Sequence, residues 1–216
     1  MAQPTVNLGT ATNFAVLAGA GITNTGPTTI TGDVGTFPTT TETGFGSVTI
    51  IGTNHAGDAV TQGAKTDLVT AYNDAVGRTP TATVSGDIGG QTLTPGVYQS
   101  TSSLGITGPL TLDAQGDPNA VFIFQISSTL ITSSESSVVL INDAQACEIF
   151  WQVGSSATLG TGSAFQGTIL ALTSITATTG AGVNGRLLAR NGAVTLDTNT
   201  ISVTICEELQ RGISLW

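Results

Sequence analysis

Apolar and polar residues alternate in short runs along almost the whole chain, and each run closes on Gly, Asn, Asp or Ser. That period belongs to short β-strands joined by tight turns. One segment follows another rule. Between His55 and Gly77 the residues Ala56, Ala59, Val60, Ala64, Leu68, Ala71, Tyr72, Ala75 and Val76 recur every three to four positions, as on one helix face. Thr53 or Asn54 can cap its start, and Gly77 followed by Arg78-Thr79-Pro80 ends it. A helix is therefore expected over about 54–77. Its stripe is small and mostly alanine, so its backbone should lie close against a flat apolar surface.

The strands supply that surface. Beyond residue 96 the chain divides into imperfect coils, opening with strands at 96–98, 121–126, 149–153, 168–172 and 186–189. Phe122, Phe124, Phe150, Leu170 and Leu188 cannot all point inward if Val121, Ile123, Ile149, Trp151, Ile169 and Leu187 do. Strands with two apolar faces must be covered on both sides, and the helix is the available cover. Second strands fall at 104–107, 130–133, 157–160, 175–178 and 194–197, and third strands include 110–112, 138–140, 164–165, 182–184 and 201–203. Three strands per coil, repeated about five times, describe a solenoid of parallel strands. Short strands with regular turns also fit a β-sandwich. Ile30-Thr-Gly-Asp-Val-Gly35 recurs as Val84-Ser-Gly-Asp-Ile-Gly89 across the helix. The helix thus reads as an insertion in a discontinuous stack whose first coil continues after it. The whole chain, 1–216, reads as one domain, with 207–216 a tail or cap.

Composition narrows the chemistry. Only 9% of the 216 residues are charged, and five cations against fourteen anions leave a net charge of −9. Nucleic acids and anionic membranes need a clustered cationic footprint that this chain lacks. No apolar run is long enough to span a bilayer. His55 is the single histidine, so a multi-histidine metal site within one chain is excluded, and neither EF-hand spacing nor a phosphate loop occurs. No cofactor and no metal are expected. Asp33 and Asp87 are a candidate carboxylate pair for polysaccharide cleavage, but each sits in a Ser/Thr-Gly-Asp-Val/Ile-Gly corner where Asp accepts turn amide hydrogens. His55 reads as a solvated residue at the helix start. The chain is accordingly not expected to be an enzyme. Cys147 and Cys206 fit either one disulfide in an oxidising compartment or two buried thiols. Met1-Ala2-Gln3-Pro4 lacks the features of a signal peptide, so the chain is either cytosolic or, the preferred reading, a mature secreted one with a replacement methionine.

Threonine remains. The chain holds 39 of them. In the second strands, alternation turns Leu104, Ile106, Ile175, Ala177, Val194 and Leu196 inward. Thr107, Thr176, Thr178, Thr195 and Asp197 then point outward, with Thr158 and Gly160 in register and Thr23 and Thr132 near the same face. Threonine is a good strand residue, but an ordinary exposed sheet would mix Lys and Glu among them. A wide, nearly uncharged face suits a ligand that is extended, periodic and neutral: ice, or a crystalline polysaccharide. A non-catalytic carbohydrate- or surface-binding adhesin module is the competing reading.

Phe14-Ala-Val-Leu-Ala-Gly-Ala-Gly-Ile-Thr23, Gly-Asp-Val-Gly at 32–35, Leu93-Thr-Pro-Gly-Val-Tyr98, Ala120-Val-Phe-Ile-Phe-Gln-Ile126, Phe150-Trp-Gln-Val-Gly-Ser-Ser-Ala-Thr-Leu159 and Gly185-Arg-Leu-Leu-Ala-Arg-Asn-Gly-Ala-Val-Thr-Leu196 together resemble the microbial ice-binding (antifreeze) protein family. The resemblance implies a mainly β fold: a discontinuous right-handed parallel β-helix (β-solenoid) of triangular section with one long α-helix packed along one face. It implies secretion and a monomer whose partner is the ice surface, giving thermal hysteresis, ice shaping and recrystallisation inhibition, with no cofactor or catalytic residue. In that family one flat face, often with a Thr-Ala/Gly-x-Thr/Asn pattern, meets ice. Thr176-Ala-Thr-Thr179 matches it, whereas Gly160 and Asp197 depart from it. The ice-contacting candidates are therefore Thr23, Thr107, Thr132, Thr158, Thr176, Thr178 and Thr195, and an adjoining face with Thr111, Asn184, Ser202 and Thr204 is a candidate second one. Relatives often carry a capping subdomain where this chain has only 36–46, so any cap here is a short loop. Cys147 and Cys206 would join neighbouring strand ends or tie down the tail.

Overall fold

Each coil of the chain contributes one strand to each of three faces, and every pairing between coils is parallel. The computed structural model describes residues 3–206; the tail or cap expected at 207–216 lies outside them. One face is an eight-stranded sheet, in the order 42–43, 22–25, 194–197, 175–177, 157–159, 130–132, 104–106 and 86–87. The other two faces are joined because Ala164–Ala171 and Gly182–Ala189 each turn a corner without breaking pairing. The bends are at Gly167 and Gly185, with φ of +105° and +150°. A Cβ at Gly185 would lie 2.0 Å from the carbonyl oxygen of Gly167, so only glycine fits there.

The order of coils departs from the sequence expectation. The coil after the helix, 82–93, does not continue the first coil. It pairs only with 96–113, at one end of the stack. The two amino-terminal coils lie at the other end, where 14–18 joins 186–189 and 33–36 lies outside 14–18. The recurring Gly-Asp-Val/Ile-Gly segments are therefore not equivalent: Asp33 starts a strand on the helix-covered face, whereas Asp87 ends one on the eight-stranded face. Short local similarity could not reveal this, because chain order and stacking order differ.

The helix runs from Ala59 to Gly77, and its N-cap is Asp58, not Thr53 or Asn54. The chain at 54–57 instead pairs with the end coil, through His55 N–H to Val34 O and Gly57 N–H to Thr36 O. Asp58 accepts the Thr61 amide at 2.9 Å, a bond that holds its carboxyl below the usual range, with His55 adding to the effect. Ala64, Leu68, Ala71, Tyr72 and Ala75 pack on Leu17, Leu188, Leu170, Phe150, Ile123 and Val97, the outer side of the doubly apolar strands. Val60 and Val76, counted in the stripe, are left 48% and 49% exposed. The Gln125 amide donates to the carbonyls of Ala75, Val76 and Arg78, tying the helix end to the sheet. Inside the coils Tyr98, Phe124 and Trp151 stack on adjacent rungs, with ring centroids 5.3 Å and 3.9 Å apart. Rung register thus places like side chains over one another, which is what makes a face regular.

Candidate functional site

The eight-stranded face carries one outward column along its middle. In paired register it reads Thr43, Thr23, Thr195, Thr176, Thr158, Ile131, Gly105 and Asp87. Beneath the threonines lie Ile22, Val194, Ile175 and Ala157, all buried. Adjacent strands are about 4.8 Å apart, so five threonines form a row about 19 Å long. β-Branching leaves each side chain few rotamers. None of the five hydroxyls bonds to another described group of the protein: each is free to meet water. Thr43 was absent from the sequence-derived candidates, because its strand is only two residues long and follows a turn-rich stretch. Its only signal was an isolated Thr-Glu-Thr alternation at 41–43.

The flanking positions differ. Thr178 and Thr107 sit at a corner of the coil, and their hydroxyls are engaged, Thr178 with Leu159 O at 2.7 Å and Thr107 with Ser133 Oγ at 3.0 Å. Thr132 does not belong to the surface. It pairs with Ile106, is 3% exposed, and its Oγ1 accepts the Gly160 amide at 2.9 Å. In that strand Ile131 takes the outward place and is 51% exposed, an inversion of the usual apolar-in pattern that misled the register. The sheet contains no Lys or Arg; its acids are Glu42, Asp197 and Asp87. Asp197 accepts from the hydroxyls of Thr179 and Thr198. Hydrogen bonds from Thr107 and the Gly89 amide hold the Asp87 carboxyl below its ordinary range.

The third face has a column of its own, in which Ser202, Asn184 and Thr111 align with Thr31, Gln166 and Val139. It is not flat. A hollow of about 260 Å³ lies around Ala164, Gly182 and Thr200, and the Asn184 amide is turned sideways onto Gln166 Oε1 at 2.9 Å. Thr204 lies off this column, beside Arg186, whose guanidinium donates to its carbonyl.

Asp33 and Asp87 are at opposite ends of the stack, about 34 Å apart at the usual strand spacing, and do not form a pair. Asp33 accepts the Thr53 amide at 2.8 Å, and Asp87 accepts those of Gly89 and Thr107, as a turn role requires. His55 is not a freely solvated residue: its Nδ1 is 2.8 Å from Asp58, its Nε2 is 3.7 Å from Asp33, and its ring leans on Phe14. Cys147 and Cys206 form a disulfide with a Cα–Cα distance of 5.6 Å. It ties the chain after the last strand to the turn before Ile149.

A family model described as Ice-binding-like matches residues 16–202. The chain belongs to this family. An ice-binding protein of Nostoc sp. (strain HG1) is 54% identical over 197 residues, covering 90% of this chain and 73% of that one. One from Flavobacterium frigoris (strain PS1) is 40% identical and covers 92% and 76%. The crystal structure of an ice-binding protein from an Antarctic biological consortium superposes with a TM-score of 0.92 at 52% identity, over 94% of this chain and 92% of that one. The ice-binding protein of an Arctic yeast, solved for the basis of its antifreeze activity, gives 0.89 at 34%, over 93% and 95%. Within this member of the Ice-binding-like family, the regular threonines are confined to five of the eight rungs of one face.

Proposed function

We propose that the protein adsorbs to ice through the column Thr43, Thr23, Thr195, Thr176 and Thr158, giving thermal hysteresis, ice shaping and inhibition of recrystallisation. The observation that carries this reading is five in-register threonines with unbonded hydroxyls on an uncharged strip. One threonine gains little on meeting water; a fixed row gains in proportion to its length, because its order is established before contact. Thr178 borders the row and Thr107 lies two rungs beyond its end, and the hydroxyls of both are already committed within the protein. The third face, with Thr111, Asn184, Ser202 and Thr204, is the weaker candidate, since a hollow interrupts it. An adhesin role draws no support from aromatic platforms among the described residues, where Trp151 faces the interior; Trp216 lies outside them. The disulfide fits an oxidising compartment and hence secretion. The protein acts as a monomer, one flat face being sufficient for a flat solid. A single ice crystal grown slowly in dilute protein tests the reading: it should become faceted, and a smooth disc would overturn it.

A further inference from the structure

Two of the chain's five basic residues converge on one cavity. It is an open surface hollow of about 410 Å³ between the middle of the helix and the loop starting at Phe37. Lys65 and Arg190 line it together with Phe37, Pro38, Gln62 and Val69, and no carboxylate is among its described lining residues. Lys65 is 9% exposed, and its Nζ donates to the carbonyls of Ala189 and Arg190. An ammonium has three N–H donors, so one is left over. The Arg190 guanidinium lies over the Tyr72 ring, 4.7 Å from its centroid, and reaches Asn73 Oδ1 at 3.4 Å. Its Nε is buried with no partner. Neither cation makes an ion pair with a described carboxylate.

Two like charges side by side, one deeply buried, are unfavourable when no described carboxylate pairs with either of them. Both residues line the same hollow, and a guanidinium edge beside an ammonium matches the oxygens of a single anionic group. We propose that this cavity binds an oxyanion, the carboxylate or sulfate of an acidic polysaccharide or the same group on a small free anion. The site is on the helix-covered side of the stack, so a bound polyanion leaves the threonine column open to ice. The proposal does not depend on the ice-binding reading.

Titration calorimetry on the whole chain, at fixed ionic strength with chloride as reference, tests it with two probes: sodium sulfate and a galacturonic acid trisaccharide. Saturable binding is expected, weakened about tenfold or more when Arg190→Gln removes the bidentate edge, with ice shaping unchanged. Tighter binding of the trisaccharide identifies the polysaccharide as the source, and binding of sulfate alone identifies the free anion. Lys65→Met should weaken both; if that variant fails to fold, Arg190→Gln, in a half-buried residue, decides. No saturable heat with either probe, or undiminished binding in Arg190→Gln, overturns the proposal.

Discussion

Replacing Thr176 by tyrosine strikes the threonine column where it has most to lose. Thr176 has Thr195 on one side and Thr158 on the other, each about 4.8 Å away. A phenol standing above this plane lifts at least three side chains off a flat solid. With about 0.8 kcal/mol for each buried methyl, the loss is about 2.4 kcal/mol out of about 4 for the whole column. That corresponds to an adsorption constant about 50-fold weaker. The folded state should hardly respond. The side chain points outward, tyrosine suits a strand, and surface changes of this kind stay within about 0.5 kcal/mol. In a domain of this size that moves Tm by less than about 2 °C. Thermal hysteresis and Tm are read on the same sample, with Thr111→Tyr on the third face as the control. Full hysteresis in Thr176→Tyr, or an equal loss in Thr111→Tyr, would refute the assignment of the face.

The column can also be lengthened: a Cβ at Gly105 would meet its nearest atom, Gly86 O, at 3.6 Å. Ile131→Thr with Gly105→Thr should thus add two rungs and raise hysteresis at equal concentration, and a well-folded double variant with no gain argues against additive contact along the row. The disulfide closes a loop with a sequence separation of 59, so Cys147→Ser with Cys206→Ser should cost up to about 4 kcal/mol in urea unfolding; an unchanged midpoint contradicts this. Burial, reinforced by the charge of Arg190, lowers the Lys65 pKa from 10.5 to about 8. Between those values the unfolded chain holds a proton that the folded one does not, so stability rises with pH, by about 3 kcal/mol in all at 1.36 kcal/mol per pH unit. The stability of the wild type minus that of Lys65→Met should grow by that order between about pH 7 and pH 10, and a flat difference would show that Lys65 is not desolvated.

The three-sided coil was legible because its strands advertise their environments. Phe122 to Ile126 is buried at every residue, as a strand covered on both faces must be, whereas Ile175, Thr176 and Ala177 alternate. The helix was legible from its alanines, but its start was not: Thr53 and Asn54 have the right side chains, and only tertiary pairing of 54–57 with the end coil moves the cap to Asp58. The threonines at 158, 176 and 195 could be placed because three successive coils keep strict alternation. Thr132 could not, since Ile131 outside and Thr132 inside reverse the rule that apolar residues point inward. Thr43 stayed hidden because its place depends on which coil stacks on which, and that is not a local property.

The same point bears on how the site is built. Thr158, Thr176 and Thr195 come from successive coils, but Thr23 and Thr43 reach the row only because the amino-terminal coils dock on the last carboxy-terminal one. That junction is paired on all three faces, and on the helix-covered one it is also braced by Arg186 Nε donating to Thr12 O at 2.8 Å and by Lys65 reaching across to Ala189 O. The helix packs on Leu17 and Leu188 together, so it spans the junction it covers. A slip of one residue there would turn Ile22 and Asn24 outward and Thr23 inward, leaving three threonines in register instead of five. The helix therefore does more than shield an apolar sheet: it braces the junction on whose register two-fifths of the threonine row depends.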